Sequence, residues 1–227
     1  MERSWDTERH AMVERQLAGR GIRDPHVLRA MRTVPRERFV DARLAAFAYD
    51  DSPLPIAAEQ TISQPFMVAW MMEAAEVAPG DRVLEVGAGS GYASAVLAQV
   101  AATVYAIERH DLLTRGARER LDALGYRNIQ LRTGDGTLGW PEAAPFDAIL
   151  VAAAGPQVPA PLKQQLRIGG RLLMPLDLGG PGTQRLLKVV RRGESDYAQD
   201  ALGGVSFVPL IGQHGWREGD AHAARPA

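Results

Sequence analysis

From Arg82 to Pro175 the chain alternates short apolar runs with helical stretches, and this alternation narrows the possible folds more than any other feature of the sequence. Residues 82–86, 103–107, 128–132, 146–151 and 171–175 read as strands, with helices over 92–100, 112–124 and 161–166. Strands joined through helices run parallel, and a parallel sheet must be covered on both faces. The pattern therefore predicts an α/β fold, a Rossmann-like, mostly parallel, doubly wound sheet. Beyond residue 180 the rhythm changes: 184–190 and 204–209 read as strands with no helix between them, an antiparallel C-terminal edge.

Ahead of the sheet, residues 4–40 have a helical pattern. Gly19 and Gly21 interrupt it, and Asp24-Pro25 has the form of a cap and first helical residue. Residues 48–63 contain two prolines and no period, which is long for an idle connector and points to a functional loop. An apolar helix over 66–77 follows and is stopped by Pro79-Gly80-Asp81. The expected layout is a single domain over 1–212, with a helical extension and lid loop (1–62), an α/β core with C-terminal strands (63–212), and a flexible tail over 213–227.

Composition removes several classes of function. The chain of 227 residues has no cysteine, which excludes a disulfide scaffold, a thiolate nucleophile and a zinc site with cysteine ligands. Its formal net charge of -1 gives no electrostatic footprint for nucleic acid. The charged N-terminus lacks the apolar stretch of a secretory signal, and there is no apolar run of the roughly 18 residues that a membrane span needs. A monomeric, cytoplasmic protein without nucleic-acid or membrane partners is the expectation. The five histidines are not at metal-ligand spacing, so no metal is expected; Met67, Met71 and Met72 read as core, and the four tryptophans form no base-stacking platform.

A cofactor signal sits between the first two strands of the alternation. Glu85 precedes Gly87-Ala88-Gly89-Ser90-Gly91, and Glu108 follows about 20 residues on, the spacing at which an acid meets a ribose diol. A dinucleotide fingerprint would place a third glycine where Tyr92 stands. An acid directly ahead of the glycines would also repel a pyrophosphate. S-adenosyl-L-methionine, which carries a sulfonium and an ammonium and no phosphate, turns that repulsion into attraction. Asp135, in Gly134-Asp135-Gly136, stands as a third acid after the third strand, and nicotinamide binding remains the competing reading.

The ordered segments AYDDSPLPI, QTISQP, VLEVGAGSGY, GDG, PFDAILVAAA, GGRLLMP and VSFVPL make the chain resemble the protein-L-isoaspartate O-methyltransferase family from about Pro35 to Leu210. QTISQP and FVPL are the most specific of them. The resemblance implies the adenosylmethionine-dependent methyltransferase fold and methyl transfer to the α-carboxylate of L-isoaspartyl residues in damaged proteins and peptides. The ester re-closes to succinimide, which begins repair. A carboxylate is ionised at neutral pH, so catalysis is expected to lie in alignment and desolvation rather than in a general base.

By the resemblance Ser63 is the catalytic residue, holding one carboxylate oxygen while the other attacks, and Thr61, Ile62 and Gln64 form a lid on the cofactor. Glu85 and Gly87 line its methionine end, Gly89 also binds it, Glu108 takes the ribose, and Asp135 and Gly136 sit against adenine. Ala152 and Ala153, followed by Ala154, leave room for the substrate backbone, which Val208, Pro209 and Leu210 help to hold. Taken as residues alone, Ser63 ahead of Gln64-Pro65 also reads as a helix cap. Where relatives have glycines ahead of QTIS, this chain has Ile56-Ala57-Ala58-Glu59, which predicts a stiffer loop. Two alternatives stand beside the repair enzyme: a carboxyl methyltransferase for a dedicated peptide or small acid, and a non-catalytic adenosylmethionine-binding partner.

Overall fold

The computed structural model describes residues 4–179 and 184–219. Helix α1 (Trp5–Met12) continues through a π turn at Val13–Leu17 and a 3-10 turn at Ala18–Arg20, and ends at Gly21, whose φ of 106° only glycine adopts freely. Helix α2 (Pro25–Thr33) is capped as expected: the Asp24 carboxylate accepts from the amides of His26 (2.8 Å) and Val27 (3.0 Å).

The aperiodic stretch before QTIS closes on itself as a hairpin of β1 (Leu54–Pro55) and β2 (Thr61–Ile62). Its tip is held by Ile56 N–H to Gln60 C=O (2.9 Å), with Ala58 and Glu59 both in the left-handed region at φ 55° and 54°. Two successive positive φ values define a tight turn that glycine or asparagine normally fills. Here a methyl and a charged side chain occupy it at a conformational cost. Ala58→Gly is therefore expected to stabilise the chain by about 1 kcal/mol, raising its melting midpoint by a few degrees; a lowered midpoint in thermal denaturation would contradict this.

Helix α3 (Pro65–Ala74) leads to β3 (Arg82–Val86), α4 (Tyr92–Ala98), β4 (Thr103–Glu108), α5 (Asp111–Ala123), β5 (Ile129–Thr133), β6 (Phe146–Val151), α6 (Ala160–Gln164), β7 (Leu166–Leu176), β8 (Arg185–Arg191) and β9 (Tyr197–Gly204). The seven-stranded sheet has the order β5-β4-β3-β6-β7-β8-β9. The first five are parallel and the last two antiparallel, as expected. The order of winding turns back at β3, with β4 and β5 laid on one side of it and β6 and β7 on the other, so the carboxyl ends of β3, β4 and β6 open on one crevice. Both faces are buried. Val83, Val104 and Ala148 pack with α3, α4 and the N-terminal helices, while Leu84, Tyr105 and Ile149 pack with Phe146, Leu162 and Leu172 on the other side.

Two expectations need correction. The last strand is not 204–209 but Tyr197–Gly204, a polar and largely exposed edge that carries little apolar signal. Residues 205–209 are apolar for another reason: they leave the sheet and run over its carboxyl end, burying Phe207 and pairing Pro209 with Ala154 in a single bridge. The start of the expected tail is also tied down. Gln213 N–H reaches Asp135 (2.7 Å), Trp216 Nε1–H reaches the Ala154 carbonyl (3.1 Å), and Arg109 pairs with Glu218 (2.6 Å). Residues 220–227 of that tail lie outside the described residues. No helix among the described residues is long and apolar enough to cross a membrane.

The N-terminal layer is fastened to the cofactor loop by a buried arginine for which the sequence carries no signal. Arg36 is fully buried, donates Nε–H to the Ala48 carbonyl (2.8 Å) and lies over the Tyr92 ring, 4.7 Å from its centroid. Burial lowers its pKa, with Tyr92 opposing.

Candidate active site

A cavity of about 360 Å³ opens over the strand tips, between the hairpin on one side and the C-terminal segment on the other. Thr61, Ile62, Ser63, Glu85, Gly87, Gly89, Glu108, Gly136, Ala152, Ala153, Val208, Pro209 and Leu210 all line it. Residues far apart in sequence thus meet: Glu85, Gly87, Gly89, Glu108, Gly136, Ala152 and Ala153 stand at or just beyond the carboxyl ends of the parallel strands, and the hairpin and the 208–210 segment close over them.

Gln64 and Asp135 do not line the cavity. The Gln64 amide donates to the Asp51 carbonyl (3.1 Å), tying the hairpin's exit to its entry. The Asp135 carboxylate is engaged within the protein: one oxygen accepts from Thr137 N–H (2.8 Å) and Thr137 Oγ1–H (2.7 Å), the other from Gln213 N–H. Its neighbour Gly136 presses on Val86, so an added Cβ would sit 2.3 Å from Val86 Cγ1. Ser63 is not the cap of α3 either. That position falls to Gln64, whose side chain makes no cap bond, and Ser63 lines the cavity instead.

The glycine loop separates the two cofactor readings. Gly87, Gly89 and Gly91 all have positive φ, which lets the loop fold back on the strand tips. Its amides turn inward as a result: Gly87 and Ala88 donate to the Ile107 carbonyl (2.8 and 3.2 Å), Gly89 to Glu108 Oε2 (2.8 Å) and Gly91 to the Ala88 carbonyl (2.8 Å). A phosphate cradle requires such amides to point outward at the anion. Here they are already committed to protein oxygens.

The acids are arranged for a cation. Glu85 is only 2% exposed; Ser94 Oγ–H donates to its Oε2, while its Oε1 has no hydrogen-bond partner among the described residues. Burial pushes the carboxyl up to about 7; the Ser94 hydrogen bond opposes the rise and the charge of Glu108 adds to it. Glu108 is held by two amides, Gly89 to Oε2 and His110 to Oε1 (2.9 Å). A carboxylate has about four acceptor positions, so it retains lone pairs for a diol.

Arg109, His110 and Glu218 also line the cavity, outside the residues expected from the sequence. Arg109 and His110 follow Glu108 directly, so adjacency to a strand tip was an available signal. Glu218 has none, since only the folded course of the C-terminal segment brings it there.

A family model described as protein-L-isoaspartate(D-aspartate) O-methyltransferase matches residues 7–215. The chain belongs to that family. Similar curated relatives include protein-L-isoaspartate O-methyltransferase 2 of Pelobacter propionicus, 56% identical over 214 residues, covering 94% of this chain and 95% of the relative. The protein-L-isoaspartate O-methyltransferase of Methylorubrum extorquens is 59% identical over 203 residues, covering 89% of this chain and 88% of the relative.

Among solved structures, a protein-L-isoaspartate O-methyltransferase superposes with a TM-score of 0.82 at 28% identity, covering 91% of this chain and 67% of that one. A putative member from Plasmodium falciparum in complex with S-adenosyl-L-homocysteine gives 0.78 at 26% identity, covering 89% of this chain and 98% of that one. The cofactor of this protein-L-isoaspartate O-methyltransferase family member is S-adenosyl-L-methionine, and the chemistry of the cavity fits it. A buried carboxylate with an oxygen unpartnered among the described residues suits an ammonium, a second acid suits a ribose, and the amides of Gly87, Ala88, Gly89 and Gly91 are already spent on protein oxygens.

Proposed function

We propose that the chain transfers a methyl group from S-adenosyl-L-methionine to the α-carboxylate of L-isoaspartyl residues in damaged proteins and peptides, which opens the route back to aspartate through succinimide. The observation that carries the reading is the placement of Ser63 from QTISQP in the same cavity as Glu85, Glu108 and the Val208–Pro209–Leu210 segment. The bound cofactor supplies an electrophilic methyl group. Glu85 holds its ammonium and Glu108 its ribose hydroxyls. Ile62 and Thr61 cover it from the hairpin, and the Ser63 hydroxyl donates to one oxygen of the substrate carboxylate. Gly136 bounds the adenine side. Asp135 acts there through the loop it shapes.

The substrate is held mainly by backbone. Ala152, Ala153 and Ala154 are small, and Val208, Pro209 and Leu210 run beside them as an extended segment, the arrangement by which one site accepts isoaspartyl residues in many sequences. We take the enzyme to act as a cytoplasmic monomer without nucleic-acid or membrane partners. Sedimentation at the mass of one chain is the expected result, and a stable dimer would count against that part.

The test of the reaction is incubation with labelled cofactor and a matched pair of peptides, one isoaspartyl and one aspartyl. Label in base-labile ester on the isoaspartyl peptide alone is expected; equal labelling of both, or of neither, would reject the assignment. For the cofactor site, Glu108→Ala removes the ribose acceptor and strands the Gly89 and His110 amides, so it should weaken binding by at least about 1 kcal/mol in calorimetry. Unchanged affinity would remove Glu108 from the ribose site.

A further inference from the structure

Trp216 lies outside every motif that marks the family resemblance, yet the structure makes it the fastening of the peptide side of the cavity. Ala154 and the 208–210 segment are joined by Ala154 N–H to the Val208 carbonyl (2.8 Å) and Leu210 N–H to the Ala154 carbonyl (2.8 Å). The Ala154 carbonyl accepts a second bond from the indole Nε1–H of Trp216 (3.1 Å), and Trp216 N–H donates to the Leu210 carbonyl (2.8 Å). One residue therefore grips both partners of that bridge.

The turn that returns the chain from Leu210 to Trp216 is itself clasped. Gln213 N–H bonds Asp135 (2.7 Å) and His214 N–H bonds Thr137 Oγ1 (3.2 Å). It folds so closely over Leu210 that a Cβ on Gly215 would stand 2.2 Å from the Leu210 carbonyl oxygen. Because Val208 and Leu210 spend their backbone groups on Ala154, strand alternation turns the carbonyl of Pro209 and the amide of Ile211 the opposite way. Pro209 and Ile211 both line the cavity. An extended peptide laid along that edge would be read through those two groups.

We propose that Trp216 is a positioning residue for the peptide substrate, fixing the backbone edge at Pro209 and Ile211 against Ala154 while the Asp135 clasp holds the turn that carries it. The inference rests on the isoaspartyl reading above. It assigns Trp216 no contact with cofactor or reacting atoms.

Trp216→Phe keeps an aromatic ring and removes the N–H donor. The expected result is a KM for an isoaspartyl peptide raised about fivefold, the size of one hydrogen bond lost, with kcat and the cofactor Kd within twofold of wild type. A general loosening of the fold would instead move kcat and cofactor Kd along with KM. An unchanged KM, or all three constants shifted together, overturns the proposal.

Should Trp216→Phe fail to fold, Gln213→Pro removes a clasp donor on the exposed side of the same turn, and the same separation of KM from kcat decides. Wild-type enzyme assayed in parallel separates the two claims. No transfer to the isoaspartyl peptide by wild type defeats the reaction itself, whereas normal transfer with an unmoved KM in the variant defeats only the role of Trp216.

Discussion

Raising the pH from 5.5 to 7 is expected to tighten S-adenosylmethionine binding by about tenfold, and Glu85→Gln to abolish most of that dependence. The cause is the burial of Glu85, which lifts its carboxyl to about 7, so the cavity meets a cationic ligand with a largely protonated acid at the lower pH and a half-ionised one at the upper. The range stays below that in which an α-amino group, such as the cofactor's own, begins to lose its proton. Ser94 faces Glu85 itself, and the other titratable groups lining the cavity are Glu59, Tyr92, Glu108, Arg109, His110 and Glu218. A slope left in Glu85→Gln would belong to another of these groups. A variant with the full wild-type slope would show that Glu85 is not the linked group.

The same shift fixes the sign of an effect on the ligand-free enzyme. The folded-state pKa of Glu85 is raised above its ordinary 4.5, so its contribution to stability is complete below that value and is lost as the pH rises through about 7. The loss is on the order of 3 kcal/mol from this group. Glu85→Gln should therefore be more stable than wild type above pH 7 without ligand, and should bind cofactor more weakly by at least about 2 kcal/mol, the scale of a hydrogen bond to a charged group. Stability and affinity moving in opposite directions is the signature of an acid kept for a cation. Urea denaturation at two pH values, beside calorimetry, reads both.

The second large effect concerns turnover. Ser63→Ala is expected to lower kcat by about 10- to 100-fold while leaving cofactor affinity within twofold, the behaviour of a lost donor that acts on the reacting carboxylate. The structure removes the simplest rival, because α3 is capped at Gln64 and not at Ser63, so the substitution takes no cap from the helix. An unaltered melting midpoint should accompany the loss of rate. A variant with normal kcat would leave Ser63 as no more than part of the cavity wall.

The parallel core was legible in the sequence because strands buried on both faces must be apolar at nearly every position. Val83, Leu84 and Val86, or Ala148, Ile149, Leu150 and Val151, have no solvent side to dilute the signal. The edge strand Tyr197–Gly204 was misplaced for the converse reason: with one neighbour and mostly exposed side chains it needs no apolar pattern, while the truly apolar residues after it serve the crevice. The hairpin that ends in QTIS carries no turn signal in the sequence, because its tip uses Ala58 and Glu59 where turn chemistry calls for glycine or asparagine.

The cavity was legible to the extent that its residues are strand tips. Glu85 and Glu108 end strands that periodicity defines, and the glycine loop follows from its residue type. Asp135 and Gln64 show where that logic stops. Both stand beside lining residues, and both turn their polar groups to the protein, one to clasp the C-terminal turn and the other to close the hairpin. Which way such a side chain points depends on what the chain brings near it later. Trp216, which fastens the edge of the cavity, and Glu218, which lines it, lie more than a hundred residues downstream of the glycine loop in sequence and are brought there only through that turn.

The central claim is that the crevice over β3 and β4 holds a positively charged methyl donor between two carboxylates. A crystal structure of the enzyme with S-adenosyl-L-homocysteine tests it most directly. The account predicts the ligand's ammonium within hydrogen-bond reach of Glu85 Oε1 and its ribose hydroxyls on Glu108. A ligand seated elsewhere, or a diphosphate of a nicotinamide dinucleotide occupying the glycine loop in its place, would contradict it.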